Sequence, residues 1–116
     1  MRYLLTLHMN TTLWATLTDA QKNGVYEGHG AFIKTITDTG EMVETKALAE
    51  PAETKTVRVQ NSATRVQEGP FVESDAFLCG YYVVDVASEG RAVELAAMIP
   101  DAQYTAVEVR KIVHEG

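Results

Sequence analysis

The chain has 116 residues, 16 of them Asp or Glu against 10 Lys or Arg, for a net charge of -6 at pH 7. That excess of acid repels phosphate backbones and anionic headgroups, so neither nucleic acid nor a membrane surface is an expected partner. The length fits one domain, residues 1–116, and no apolar run approaches the roughly 18 residues of a membrane span. Cys79 is the only cysteine and no charged segment followed by an apolar one opens the chain, so the expected location is cytoplasmic.

Met1 to Met9 begins as a strand, with Tyr3, Leu5 and Leu7 on one face and Leu4 on the other. Apolar residues from the first position onward predict a strand inside the sheet. Asn10 to Thr12 break this pattern. Thr18 and Asp19 before Ala20 predict a helix start, since either side chain can accept from a first-turn amide. Val25, His29, Phe32 and Ile36 then fall on one helical face, and Gly40 is a natural stop. Glycines at 28 and 30, on either side of His29, weaken the helix but let another backbone or a ligand come close.

Glu41 to Ala49 predicts a second strand, polar enough to be peripheral, ended by Pro51. Thr54 to Val59 and Thr64 to Val66, separated by Asn61 and Ser62, predict a hairpin. The stretch from Val66 to Val86 is a turn carrying Glu68, Glu73 and Asp75, followed by a nearly unbroken apolar run. Such a run reads as a strand buried on both faces at the middle of a sheet. Ser88 can cap a helix to about Ile99, with Ala92, Leu95, Ala96 and Ile99 as its stripe and Pro100 as its stop. Tyr104 to Val113 predicts the last strand.

The order strand, helix, strand, hairpin, strand, helix, strand predicts an α+β fold: a ferredoxin-like α/β sandwich with two helices on one face of an antiparallel sheet. A chain this short has no third layer for the other face, so a homodimer packed sheet to sheet is expected.

His29 is the sharpest candidate, a general base on an apolar stripe that points at the sheet. The competing reading is a buried histidine satisfied by a backbone carbonyl. Glu73 and Glu68 flank Gly-Pro-Phe, and either is a candidate to orient the imidazole; a turn-bonding Glu73 and a solvated Glu68 are the alternatives. His8, Phe71 and Asp75 are candidate ligand contacts, with His8 on the cavity only if strand ends line it. Cys79, inside the apolar strand, reads as a small filler more than as a nucleophile. Trp14 and Tyr26 suit the wall of a pocket or an interface. No zinc spacing or nucleotide-binding motif is present, so neither metal nor cofactor is expected.

Several segments in order carry a family likeness: Met-Arg-Tyr-Leu-Leu at the start, Gly-His-Gly-Ala-Phe at 28–32, Glu-Gly-Pro-Phe-Val-Glu at 68–73, Gly-Tyr-Tyr-Val-Val-Asp-Val at 80–86 and Val-Glu-Val-Arg at 107–110. Together they resemble the YCII-related family, and within it the branch named for an Asp-Gly-Pro-Phe motif. The resemblance covers nearly the whole chain. It implies a dimeric ferredoxin-like sandwich in small bacterial proteins mostly of unassigned activity, one of which removes chloride from a chlorinated aromatic. A His-with-Asp acid-base pair is proposed in that wider family. Two departures stand out: the motif's Asp is Glu68 here, with its carboxylate about one methylene further out, and the branch often has Tyr where His29 stands.

These readings converge on a cofactor-independent enzyme of the lyase or isomerase type, acting on a small organic molecule through His29 and Glu73 or Glu68. The alternative is a non-catalytic dimeric module that binds a small ligand or a protein partner. A heme or quinone monooxygenase is set aside, because no second histidine stands at a defensible axial position.

Overall fold

The computed structural model describes residues 1–116. Strand β1 (Arg2–Asn10) alternates as its sequence demands, with Tyr3, Leu5, Leu7 and Met9 buried on one face. It lies between β5 (Ala76–Asp85) and β6 (Ala106–Lys111), so Leu5 sits opposite both Tyr82 and Val109. Strand β2 (Met42–Ala47) pairs with the far side of β5. The sheet order is β2-β5-β1-β6, antiparallel throughout. The fold is α+β and ferredoxin-like.

Two long helices cover one face. Thr18 and Gln21 form a capping box for α2 (Asp19–Asp38), satisfying two otherwise unpaired amides, and Val25, Phe32 and Ile36 point inward. Ser88 caps α3 (Glu89–Met98), which buries Ala92, Leu95 and Ala96. The core is therefore a single layer between helices and sheet, with Leu5, Ile36, Val84, Leu95 and Ile99 fully enclosed.

The predicted burial of β5 on both faces does not hold within one chain. Gly80, Tyr82 and Val84 are buried, but Tyr81 and Val83 are half-buried and Leu78 is exposed. Apolar side chains populate both faces, yet only one has a layer over it. Two short helices lie where the sequence pattern suggests only a break and a linker. Asn10 accepts from the Leu13 amide at 2.9 Å and starts α1 (Thr11–Thr16), and α4 (Asp101–Tyr104) follows Pro100 directly. The last strand consequently begins at Ala106, later than its apolar pattern suggests.

Strands β3 (Lys55–Gln60) and β4 (Ala63–Glu68) form a separate ribbon. Its two-residue turn holds Asn61 and Ser62 at φ of 49° and 64°, matching the twist of the strands. The ribbon projects from the body, and the molecule measures 49 × 40 × 18 Å.

One ion pair locks α3 to the start of β2. Arg91 donates through Nε and Nη2 to the two carboxylate oxygens of Glu41 at 3.0 and 2.9 Å. These bonds, aided by the Thr39 hydroxyl and opposed by burial, hold the Glu41 carboxyl below its ordinary value. A lowered folded-state value means stability that is complete above the unfolded carboxylate range and lost as pH falls through the folded value. Glu41→Gln should therefore lower the melting temperature at pH 7, and the gap from wild type should close below about pH 4 in thermal melts across pH.

Candidate active site

The inward stripe of α2 places His29 between Val25 and Phe32, against the sheet. Its approach depends on the residue before it. A Cβ at Gly28 would sit 2.5 Å from Pro100 Cγ, a contact only glycine permits, and this close crossing carries His29 up to the residue after the proline. That residue is Asp101, 2% exposed.

The carboxylate decides the hydrogen bonding. Asp101 Oδ1 lies 2.7 Å from His29 Nε2, and an ionised carboxylate only accepts, so Nε2 carries a proton. In the neutral ring Nδ1 then accepts from the Tyr82 hydroxyl, 2.7 Å away. Tyr82 stacks on the imidazole with ring centroids 5.9 Å apart and 11° between planes, while Phe32 meets its other side edge-on at 4.9 Å. The three members come from α2, α4 and β5.

The second carboxylate oxygen faces a thiol. Cys79 Sγ is 3.6 Å from Asp101 Oδ2 and 3.4 Å from the Leu7 carbonyl. Burial first, then the charge of Asp101, push the thiol up to about 12, so it stays protonated and is a poor nucleophile at neutral pH. Burial likewise raises the Tyr82 phenol to about 12, with Asp101 adding to the shift and a bond with Thr45 opposing it.

A cavity of about 780 Å³ opens beside the pair. Its walls are mainly apolar, from Leu7, Met9, Val25, Ile33 and Phe77, with Trp14 and Tyr26 meeting edge to face near its rim. His29, Tyr82, Asp101 and Cys79 also line it, as do Thr45, Lys46 and Glu50. Such a volume, with few convergent polar groups, is that of a small-molecule site.

The residues singled out from sequence are distributed differently. His29 lines the cavity, but no hydrogen bond joins it to Glu68 or Glu73. Glu68 stands on the ribbon, paired with Lys55 at 2.6 Å and exposed, because β4 leaves the body before the Gly-Pro-Phe turn. Glu73 and Asp75 are exposed in the segment between β4 and β5, where the Asp75 carbonyl accepts from the Thr11 amide at 3.4 Å. Phe71 is 69% exposed beneath the Arg58 guanidinium, away from the cavity. His8 falls on the opposite sheet face by strand alternation, bonded to Thr6 Oγ1 at 3.1 Å and 3.7 Å from Glu108.

Asp101 and Tyr82 are the members that pattern reading passes over. Pro100 marks the helix end, and Asp101 reads as linker. Tyr82 reads as one more apolar residue of a buried strand, although a buried phenol ordinarily needs a partner for its hydroxyl. That requirement is the signal the sequence does carry.

A model of the YCII-related domain matches residues 1–115. The chain belongs to the YCII-related family. No curated protein matches it at a significant level.

In this YCII-related chain the Gly28 crossing makes a prediction of opposite signs. Gly to Ala inside a helix ordinarily gains about 1 kcal/mol. A methyl added at Gly30 would meet nothing within 4 Å, so Gly30→Ala should stabilise, whereas Gly28→Ala drives a methyl into Pro100 and should destabilise. Urea unfolding of the two variants reads both signs.

Proposed function

We propose that the protein binds a small organic molecule in the cavity beside His29 and moves protons on it, in lyase or isomerase chemistry on an activated carbon acid. The reading rests chiefly on one observation: an imidazole at a cavity wall held between a buried carboxylate and a phenol, each at 2.7 Å. A proton leaving the bound molecule passes to the Tyr82 oxygen as the phenol's own proton moves to Nδ1. The resulting imidazolium is balanced by the Asp101 carboxylate 2.7 Å from Nε2. Returning the proton to a different atom completes an isomerisation; expelling a leaving group completes an elimination. Glu73 and Glu68 remain candidates only for contacts made when the exposed turn meets a ligand or a partner, and His8, Phe71 and Asp75 share that standing.

A second reading has a specific observation behind it. Both ring nitrogens are already satisfied, which also suits a non-catalytic module whose His29 simply fixes the pocket wall. In either case we infer a homodimer packed through the uncovered sheet face, where Leu4, Tyr81 and Val83 lie half-buried.

Solvent-proton exchange separates the two. The protein is incubated in D2O with a panel of 1,3-dicarbonyl compounds, keto acids and dihydroxyaromatics, and C–H exchange is followed by NMR. Acid-base catalysis is worth about 10²- to 10⁴-fold; His29→Gln should remove an acceleration of that order from any compound that exchanges, and Tyr82→Phe should do so if the phenol is the relay. Compounds that bind with no accelerated exchange would leave the module reading.

A further inference from the structure

We infer that the β3–β4 ribbon is an intersubunit arm whose occupant is a second copy of this chain. The inference extends the homodimer proposed above to a surface outside its sheet face and does not depend on the acid-base reading.

The ribbon is unfinished on both sides. Val57 pairs with Val66, and Val59 lies opposite Thr64, placing three valines on one face at 61, 60 and 68% exposure for 57, 66 and 59. No other element of the chain packs substantially against that face. A lone two-stranded ribbon is marginal in water and gains its stability from a covering layer. On the other face Arg58 stands directly opposite Arg65, a like-charge pairing that costs stability, and neither guanidinium has a carboxylate partner. Arg58 rests instead over the exposed Phe71 ring at 5.0 Å. Each face thus lacks what a neighbour would supply, apolar cover on one and acid on the other.

Charge selects the neighbour. Residues 54–70 carry Lys55, Arg58 and Arg65 against Glu68, a net +2, leaving -8 on the rest of a chain whose total is -6. A basic arm on an acidic body is attracted to another copy of that body. Geometry agrees. The radius of gyration is 16.1 Å against roughly 13 Å for a compact chain of this length, so the arm reaches well beyond its own core. Its root is continuous with the uncovered sheet face. A cavity of about 540 Å³ between them is lined by His8 and Leu78 of that face and by Pro51, Thr54, Pro70 and Val72 of the root. In a two-fold dimer formed through the sheet faces, each arm would leave at the rim of the interface and lie along the other body.

Sedimentation velocity over a concentration series tests this on the full chain. Val57→Glu/Val66→Glu and Arg58→Glu/Arg65→Glu should each weaken dimerisation at least tenfold, while Gln60→Thr/Gln67→Thr, which alters the same ribbon with no change of charge, should not weaken it. All these side chains are exposed, so the folded body should survive, as circular dichroism will show. Hydrogen exchange gives a second measurement: amides of 55–68 should be better protected at 100 µM than at 1 µM chain. A wild-type dimer insensitive to the valine and arginine variants, with arm protection independent of concentration, overturns the arm and leaves the sheet-face dimer standing. A wild type that is monomeric at 100 µM overturns both.

Discussion

The structure around the cavity depends on one buried carboxylate. Asp101 is 2% exposed, and a charge so far from water is tolerable only when donors are brought to it. Those donors are His29 Nε2 and, more weakly, the Cys79 thiol. Meeting that demand fixes the rest: the imidazole tautomer is set, Nδ1 is turned toward Tyr82, and the thiol is kept protonated. With thiol and phenol both near 12, neither carries charge at neutral pH. The demand also explains a backbone feature, since only a glycine at 28 lets α2 approach Pro100 closely enough to deliver the ring.

How much of this is legible in the sequence follows from the range of the interactions. Capping by Thr18 and Ser88, the stripe of α2 and the central place of β1 are local patterns, and the architecture follows from them once the strand-helix units are counted. The inward direction of His29 belongs to the same class, because a helical stripe points one way. Its partner does not. His29 and Asp101 are 72 residues apart and meet through a helix crossing, so no spacing rule joins them. The carboxylates that sequence proximity to a rigid turn makes attractive, Glu68 and Glu73, are placed by a different fact: β4 belongs to the ribbon and not to the main sheet. Once that strand leaves the body, its end cannot line the helix-side cavity. The burial of β5 misleads for a related reason. Apolar residues on both faces record everything a strand touches, including surfaces that a single chain leaves open.

The two layers separate two kinds of work. The helix side holds the cavity and its hydrogen-bonded chain of Tyr82, His29 and Asp101; the bare sheet side and the arm hold the apolar and basic surface. Residues alternate between these sides along β1 and β5, so neighbours in sequence serve different ends. Tyr81 reaches Glu44 on the outer face, and Tyr82 reaches His29 on the inner one.

The choice between a catalyst and a passive pocket turns on what the histidine is satisfied by. A ring bonded to backbone carbonyls would be locked as a donor, with no route for a proton through it. Here Nδ1 accepts from a hydroxyl, which is itself both donor and acceptor and which lines the cavity. A proton arriving at the phenol oxygen can be matched by one leaving it, with little movement of heavy atoms and with the carboxylate already in place to receive the charge. A purely structural arrangement would gain more by closing the hollow, since unfilled apolar space forfeits packing contacts. About 780 Å³ of such space lies beside the buried acid, and a bound molecule of the kind proposed above would supply the contacts its walls lack.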